Sequence, residues 1–579
     1  MNPSTATSIS HPAPPLRYVP EDFAPLDFDS MKSWLEELEH RVLDSKEALE
    51  KWILDRSELD SCIGEEAVAR MYASVCKTDD VALEKAYMDF QTIALPLVKP
   101  IDDRLDRKYL ESVFRKDLDP QKWEVYDREV ELGVRLFREE NVALEAEEEK
   151  LTNQYDRIVG AMTVEFQGKE HTLSAMAKYV EDPDRDLRES SWRTTSGRRM
   201  EDAEKLESLF EEMLELRQRQ AKIAGFDNYR DYMHEAKARF DYTPEDCLAF
   251  QENVAKYVMP VATRMAARRK ELLGLDPLRP WDLAVDPESD KAFEPFANAQ
   301  GQVDVASKMM SKVRESFGGE LRWMFKEGLL DLETRPHKAP GGFMESLERR
   351  RVPIIFANSG TTHGDVETLV HEGGHALNGL LCRDLEPVAY RMPPLEFAEV
   401  ASMGMEAMAT EHYAEVYPAA EARSTRIDAL EGMATTFPWV AAVDGFQQWL
   451  YTHENHTREE RRAAWMDIQE RFSAGVDWSE LTDQRATLWH RQLHIFVVPF
   501  YYIEYALAQM GACQLWVRYR NNPSDAVDRY VEGLALGGSR KLPELFEAAG
   551  LKFDPRGDHL GELMAEVEAA WKEEVAKTV

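Results

Sequence analysis

The amino-acid sequence predicts a mainly α-helical protein that contains a small β-sheet. From about residue 20 to 275, apolar residues recur at intervals of three and four positions with few glycines, as on one face of a helix. Clustered glycines and a short, fully apolar run mark residues 339–365 as strands and loops. At 579 residues and 44% hydrophobic content, the chain is long enough to bury a large core. These observations favour one or two large helical lobes.

The longest amphipathic patterns lie in the first half of the chain. Residues 31–53 and 206–225 each predict a long helix, and Gly225 is placed to end the second. Residues 166–173 (FQGKEHTL) predict a short extended segment or hairpin. After a Pro-rich connector at residues 274–283, the pattern stays mainly helical to about residue 330.

Charge and cysteine content limit the classes of function. The net charge of -36 disfavours binding to nucleic acid or to an anionic membrane surface. The apolar segment 494–517 is interrupted by Pro499, Glu504 and Gln509, which argues against a membrane span. Five scattered cysteines without a CxxC pair indicate no disulfide framework, so we expect a cytoplasmic protein. The first residues lack the pattern of a secretory signal, and we expect residues 1–19 to form a flexible tail.

The strongest motif lies in residues 366–381, VETLVHEGGHALNGLL. Its apolar positions predict a helix, which Asp365 can cap. Gly373 and Gly374 are locally unfavourable, because each glycine in a helix interior costs about 1 kcal/mol relative to alanine. We therefore expect another segment, or the substrate, to pass too close to this helix to admit a Cβ atom there.

The two histidines of this helix have the spacing of metal ligands. His371 and His375 are four residues apart, so both imidazoles lie on one helix face and can bind one metal ion. Glu372 follows the first histidine and is directed toward the open coordination position. Two neutral imidazoles with a carboxylate favour zinc, with water as the fourth ligand.

The third protein ligand must come from elsewhere in the chain. The extended motif HExxHxxGxxH would need a glycine and a histidine where this sequence has Asn378 and Leu381. The acidic candidates are in residues 392–413, a helical pattern that Pro394 can start.

Three glutamates of that second helix are candidates. Glu396 falls in the first turn and can simply cap the helix, whereas Glu399 lies one turn deeper. Glu406 follows Glu399 by seven residues and returns to the same face. The sequence thus predicts Glu399 as the ligand and Glu406 as an acceptor for the other ring N–H of a ligand histidine.

The segments HEGGH and FAEVASMGME resemble the zinc site of the M3 peptidases, the group of oligoendopeptidase F and thimet oligopeptidase. Residues 150–173, 224–233, 338–346 and 494–509 are also similar to segments of oligoendopeptidase F. The resemblance implies a gluzincin-like M3 fold, which is a large helical, two-lobed body with a deep channel and a small β-sheet next to the HExxH helix. It also implies an N-terminal helical region at residues 20–190 and a zinc metallopeptidase catalytic region at residues 191–579.

The same resemblance assigns roles to residues. It supports Glu399 rather than Glu396 as the ligand of one zinc ion per chain. An aromatic run beside proline by itself favours core packing, but the family's His and Tyr element is similar to His494, Tyr502 and Tyr505 and supplies groups that polarise the substrate. Where some relatives carry a cysteine, this chain has Phe343-Met344, so thiol-based regulation does not carry over.

The resemblance therefore implies a zinc-dependent oligoendopeptidase that hydrolyses internal bonds of short, unstructured peptides, with Glu372 as general base. We expect the apolar strand Val352–Ala357 to be able to pair with an extended peptide. The negative net charge favours basic peptides.

Two alternatives stay open at this point. A dipeptidyl carboxypeptidase-like exopeptidase would need a cation for the free carboxylate of its substrate, and Arg349, Arg350 and Arg351 are candidates. A non-catalytic helical peptide-binding protein would need no working site, although every catalytic residue type is present.

Overall fold

A computed structural model describes residues 13–289 and 293–577 of the chain. Part of the predicted N-terminal tail, residues 1–12, therefore lies outside the described residues. Within the described ranges, contacts between Cα atoms divide the chain into two units. The first unit is formed from residues up to 142, 294–417 and 511–553, and the second from residues 143–293, 418–510 and 554–579.

The first unit is built mainly of helices that cover a three-stranded sheet. Its helices are α1 Phe28–His40, α2 Lys46–Cys76, α3 Val81–Asp89, α4 Leu95–Glu111, α5 Pro120–Leu136, α13 Ala299–Val313, α14 Glu315–Lys326, α15 His363–Cys382, α16 Leu395–Ala409, α17 Tyr413–Val416, α23 Pro523–Leu534 and α24 Leu542–Ala548. Its strands are β3 Leu330–Glu333, β4 Phe343–Leu347 and β5 Val352–Ser359.

The second unit contains a small hairpin and the remaining helices. Its strands are β1 Thr163–Phe166 and β2 Lys169–Thr172, and its helices are α7 Ala177–Val180, α8 Arg185–Glu201, α9 Ala203–Ala224, α10 Tyr229–Ala236, α11 Pro244–Asn253, α12 Met259–Leu272, α18 Ala419–Thr452, α19 Arg458–Arg471, α20 Thr482–Ala486, α21 Leu493–Phe496 and α25 Leu560–Val575. Two further helices, α6 (Glu139–Gly160) and α22 (Tyr502–Asn521), contain residues of both units.

The chain is mainly α-helical, as the apolar spacing predicts, and two local predictions are also confirmed. Helix α9 ends at Gly225, which adopts a left-handed conformation with φ of 93°. Strands β1 and β2 form the predicted hairpin by antiparallel pairing of Thr163 with Thr172 and of Phe166 with Lys169.

The helix predicted at residues 31–53 is wrong, because the structure has two helices there. Helix α1 ends at His40, and Arg41 is extended. Ser45 then caps α2, and its hydroxyl oxygen accepts a hydrogen bond from the backbone N–H of Ala48. A favourable cap inside a continuous apolar pattern thus starts a new helix at this point.

The apolar run Val352–Ala357 forms the buried part of strand β5, which is the central strand in the order β3-β5-β4. Ile355 pairs with Leu330 of parallel β3 on one side and with Met344 of antiparallel β4 on the other. The prediction that this strand can pair with a peptide is wrong, because both its edges are already occupied. Strand β3, which the sequence pattern did not reveal, occupies one of them.

Helix α15 begins three residues earlier than the apolar pattern suggests. Thr362 is its N-cap, and its hydroxyl oxygen accepts from the backbone N–H of Asp365, whose carboxylate accepts from the backbone N–H of Thr362. Asp365 is therefore the third residue of a capping box and not the cap itself, which corrects the prediction. The helix buries Val366, Leu369 and Leu377 on its apolar face.

The two glycines of α15 lie where other helices approach closely, which confirms the expectation. A Cβ atom added to Gly374 would lie 2.5 Å from the carbonyl oxygen of Ala401 and 2.7 Å from the Cα of Ser402, both in α16. A Cβ atom on Gly373 would lie 3.1 Å from the Met310 thioether in α13. Alanine at residue 374 would therefore meet rigid backbone, whereas at residue 373 it would meet a flexible side chain.

Within the described part of the chain, no helix combines the length and the apolar content that a bilayer span requires.

We expect Gly374→Ala to destabilise the protein by about 1–3 kcal/mol, because the added methyl group pushes α15 away from α16. Gly64→Ala in α2 is the matched control, because nothing lies within 4 Å of its added Cβ atom. The control should raise stability by up to about 1 kcal/mol. Urea unfolding followed by circular dichroism measures both values, and equal stability of the two variants would contradict the close approach at Gly374.

Candidate metal centre

Helices α15 and α16 bring three of the predicted residues together. One nitrogen of His371, one nitrogen of His375 and one carboxylate oxygen of Glu399 all lie within 4.8 Å of one another. Oε2 of Glu399 lies 3.5 Å from Nε2 of His371 and 3.5 Å from Nε2 of His375. The two imidazole rings are nearly perpendicular, at 81°, with centroids 4.9 Å apart.

This donor set fits a tetrahedral zinc ion. Zinc binds histidine nitrogen and carboxylate oxygen at about 2.0–2.2 Å, so two ligand atoms of one tetrahedral ion lie about 3.4 Å apart. The two separations of 3.5 Å agree with that value. Three such ligands would leave the fourth position of a zinc ion for water or substrate, as in catalytic zinc sites.

Glu399 is held in place by its own helix. It is buried, and the hydroxyl of Ser402 donates to its Oε2 over 3.0 Å. Burial by itself would raise the pKa of Glu399, but hydrogen bonds from His371 and His375 outweigh it and hold the pKa below its ordinary value. The carboxylate is therefore charged. Sequence reasoning missed Ser402, although its spacing of three residues from Glu399 places it on the same helix face.

Glu406 contacts the opposite nitrogen of His371, Nδ1, through its Oε1. Burial disfavours a charged imidazole, but Glu406 and Glu399 together raise the pKa of His371 well above its ordinary value. Two carboxylates around one imidazole thus favour a positive charge at this position. A divalent cation would provide that charge and would leave the ring neutral.

Glu372 is 7% exposed and lies between His371 and His375 in the chain. Burial raises its pKa, while His371 and His375 act in the opposite direction. Its position follows from the helix, because a residue next to His371 is rotated by about 100° from it around the axis.

A network that sequence reasoning did not predict braces the start of α15. Nε2 of His363 lies 3.2 Å from Oε1 of Glu367, and the Tyr413 hydroxyl donates to the same oxygen over 3.2 Å. Nδ1 of His363 lies 3.0 Å from the Tyr417 hydroxyl. His363, which had no role assigned from the sequence, therefore ties α15 to α17 and to the residue that follows it.

His494, Tyr502 and Tyr505 lie in the second unit and cluster with one another. The ring of His494 has its centroid 4.7 Å from that of Tyr502 and 5.8 Å from that of Tyr505. Nδ1 of His494 lies 2.6 Å from Nε2 of Gln492, and Oε1 of Gln492 accepts from the indole N–H of Trp439 over 3.0 Å. Burial raises the pKa of the Tyr502 hydroxyl, which therefore stays protonated and able to donate.

Buried arginines fix the backbone of this aromatic segment. Arg217 donates to the carbonyl oxygens of Ile495, over 3.1 Å, and of Phe496, and it is paired with Glu148 at 2.7 Å. Arg239 donates to the carbonyl oxygen of Phe500. These contacts hold the chain between His494 and Tyr502 in one conformation.

The three arginines considered for a terminal carboxylate are paired with acidic residues of the same unit. Arg349 lies 3.0 Å from Glu21, Arg350 lies 2.8 Å from Glu65, and Arg351 lies 3.3 Å from Asp384. Each guanidinium group thus already has a carboxylate partner.

Curated relatives are similar to this chain over part of its length. Oligopeptidase PepF of Bacillus subtilis (strain 168) is 25% identical over 341 residues, which cover 55% of this chain and 49% of that protein. The oligoendopeptidase F homolog of Lactococcus lactis subsp. lactis (strain IL1403) is 22% identical over 347 residues, which cover 58% of this chain and 55% of that protein. The chain thus spans about half the length of these curated relatives.

Solved structures are similar over nearly the whole chain. A structure of PZ peptidase A with an inhibitor has a TM-score of 0.89 and 26% identity, covering 96% of this chain and 98% of that one. A structure described as an oligoendopeptidase F also has a TM-score of 0.89, with 25% identity over 96% of this chain and 99% of that one. The model of peptidase family M3 matches residues 178–561, which include His371, His375 and Glu399. The chain therefore belongs to peptidase family M3.

Proposed function

We propose that this protein is a zinc-dependent oligoendopeptidase that hydrolyses internal bonds of short peptides. The observation that carries the proposal is the approach of Glu399 to both imidazoles of the HExxH helix, at 3.5 Å from each. Membership of peptidase family M3 supports peptide hydrolysis, and the names of the relatives support oligopeptides as substrates.

His371, His375 and Glu399 would hold one zinc ion per chain, and Glu406 would orient His371 through its Nδ1. When bound, zinc lowers the pKa of a coordinated water to about 7 and polarises a carbonyl group.

Glu372 would act as the general base. Its carboxylate would take a proton from the attacking water and pass it to the nitrogen of the leaving amine. The burial of Glu372 suits the first step, because desolvation raises its pKa and makes it a better proton acceptor than an exposed carboxylate.

His494, Tyr502 and Tyr505 would donate hydrogen bonds to the substrate oxygen as negative charge develops on it. Their clustering on one segment, and the hydrogen bonds from Arg217 to the backbone of that segment, support a shared role. Loss of one such donor typically lowers kcat by about 10² to 10³.

The proposal also covers the extent of the catalytic region and the location of the enzyme in the cell. We place the catalytic region at residues 191–579, after an N-terminal helical region at residues 20–190, and we propose that its substrates are short, unstructured peptides. All five cysteines are free, which supports the cytoplasm as its location. The pairing of Arg349, Arg350 and Arg351 with acidic residues removes these three residues as candidates for the carboxylate site that the exopeptidase alternative would need.

We expect Glu372→Gln to keep one zinc ion per chain and to lower kcat by at least 10²-fold, because only the proton acceptor is removed. Metal analysis and the initial rate on a quenched peptide measure the two properties. Glu315→Gln is the control, since Glu315 is exposed on α14 and pairs with Arg322 at 3.0 Å, and it should keep both. Full activity of Glu372→Gln would remove Glu372 from its role.

Internally quenched peptides of about eight residues, blocked by acetylation and amidation, separate endopeptidase from exopeptidase activity. We expect the zinc-loaded protein to cleave them within the chain, because internal cleavage needs neither free terminus. Mass spectrometry of the products locates the cut. Intact blocked peptides beside cleaved unblocked ones would instead assign an exopeptidase.

A further inference from the structure

The second unit contains a cavity of about 180 Å³ between helix α8 and residues 484–491. Its apolar wall is formed by Leu173, Met176, Ala177, Val180, Trp192 and Leu488. Its polar wall carries hydroxyl and amide groups from Thr195, Ser196, Gln484 and Thr487, together with the guanidinium groups of Arg199 and Arg491. A cavity of roughly 150 Å³ holds a benzene ring, so this one has room for an aromatic or branched aliphatic group and a small polar head.

Arg199 differs from the other arginines of helix α8, each of which is paired with a carboxylate, and Arg491 shares this difference. Neither Arg199 nor Arg491 has a carboxylate partner among residues 13–289 and 293–577. On the same helix as Arg199, Arg193 is paired with Glu189 at 2.7 Å, and Arg198 with Asp202 at 2.5 Å. The chain has 107 acidic residues, yet none of the described ones pairs with these two arginines, which line the same cavity. A negatively charged ligand would neutralise them.

The surroundings of the two arginines make an anion favourable. Desolvation lowers the pKa of Arg199, and desolvation together with repulsion from Arg199 lowers the pKa of Arg491. Arg491 is nevertheless exposed to solvent, so a ligand can reach it. Two unneutralised cations near each other cost free energy, which a bound carboxylate would offset through charge-assisted, bidentate hydrogen bonds.

The cavity adjoins the segment that carries His494 and Tyr502. Arg491 precedes Gln492, whose amide contacts Nδ1 of His494. Its guanidinium lies over the Trp439 ring, 5.3 Å from the centroid, and the indole N–H of Trp439 donates to Gln492. The positive charge of Arg491 also acts on the Tyr502 hydroxyl. A ligand on Arg491 would therefore lie next to the groups proposed to act on the substrate.

We propose that Arg199 and Arg491 form a subsite for a peptide carboxylate that is attached to an apolar residue. The proposal rests on the proposed function and names a substrate class for it. The carboxylate is either the free carboxyl end of a peptide with an apolar last residue or the side chain of an acidic residue beside an apolar one. In both cases the apolar group packs against the apolar wall of the cavity, which includes Leu173, Met176, Trp192 and Leu488. The overall negative charge favours basic peptides, whereas this subsite selects acidic groups.

The first experiment measures binding and does not depend on turnover. N-acetylphenylalanine and its amide are titrated into the metal-free protein in a calorimeter. We expect the carboxylate to bind at least 10-fold more tightly than the amide, and Arg491→Gln and Arg199→Gln each to remove that difference. Arg193→Gln, on the same helix, is the matched control and should keep it. Equal binding of the two ligands to the unmodified protein would overturn the proposal without reference to any variant.

The second experiment measures kcat/KM of the zinc-loaded protein on matched peptides. One pair has a free or an amidated carboxyl end after an apolar residue, and the other has Asp or Asn beside an apolar residue within a blocked peptide. A preference for the charged member of the first pair assigns the carboxyl end, and a preference in the second assigns an acidic side chain. Each preference should fall to about one in Arg491→Gln.

The two proposals fail in different ways. If no peptide of either pair is cleaved, the proposed function fails, while the calorimetric comparison still decides on the subsite. If the peptides are cleaved but neither charged member is preferred by at least 10-fold, the subsite proposal is overturned and the proposed function stands.

Discussion

The close approach of α15 and α16 at Gly374 is the constraint on which the candidate metal centre depends. Because residue 374 has no Cβ atom, the backbone at Ala401 and Ser402 can lie against it. This contact sets the distance between the two helices one turn away from Glu399, whose carboxylate then meets both imidazoles. Ser402 contributes twice, since its Cα forms part of the contact and its hydroxyl orients Glu399.

The distribution of buried charges determines which ion each of two places in the protein favours. Near α15, Glu399 and Glu406 create a position that favours a cation, although burial opposes charge there. In the second unit, Arg199 and Arg491 create a position that favours an anion. A strongly acidic chain thus contains both kinds of site, because local packing and not net charge determines the potential at each.

Much of this arrangement could be predicted from the sequence. Helix geometry alone predicts that His371 and His375, four residues apart, share one face of a helix. It predicts in the same way that Glu399 and Glu406, seven residues apart, share one face of the next helix. The sequence also indicates that another segment lies close to Gly374, because a glycine inside a helix is unfavourable unless there is no room for a Cβ atom. By contrast, the break between α1 and α2 depends on one cap, and strand β3 depends on a partner distant in sequence, so neither appears in local periodicity. The two cavity arginines are nearly 300 residues apart in the chain, and their lack of partners is a property of the folded protein alone.

Anomalous diffraction at the zinc absorption edge, from crystals of the zinc-loaded protein, tests the central claim most directly. We predict one anomalous peak per chain, about 2.0–2.2 Å from Nε2 of both His371 and His375 and from a carboxylate oxygen of Glu399. If no peak is found at this position, or if zinc binds there without Glu399, the proposed metal centre is wrong.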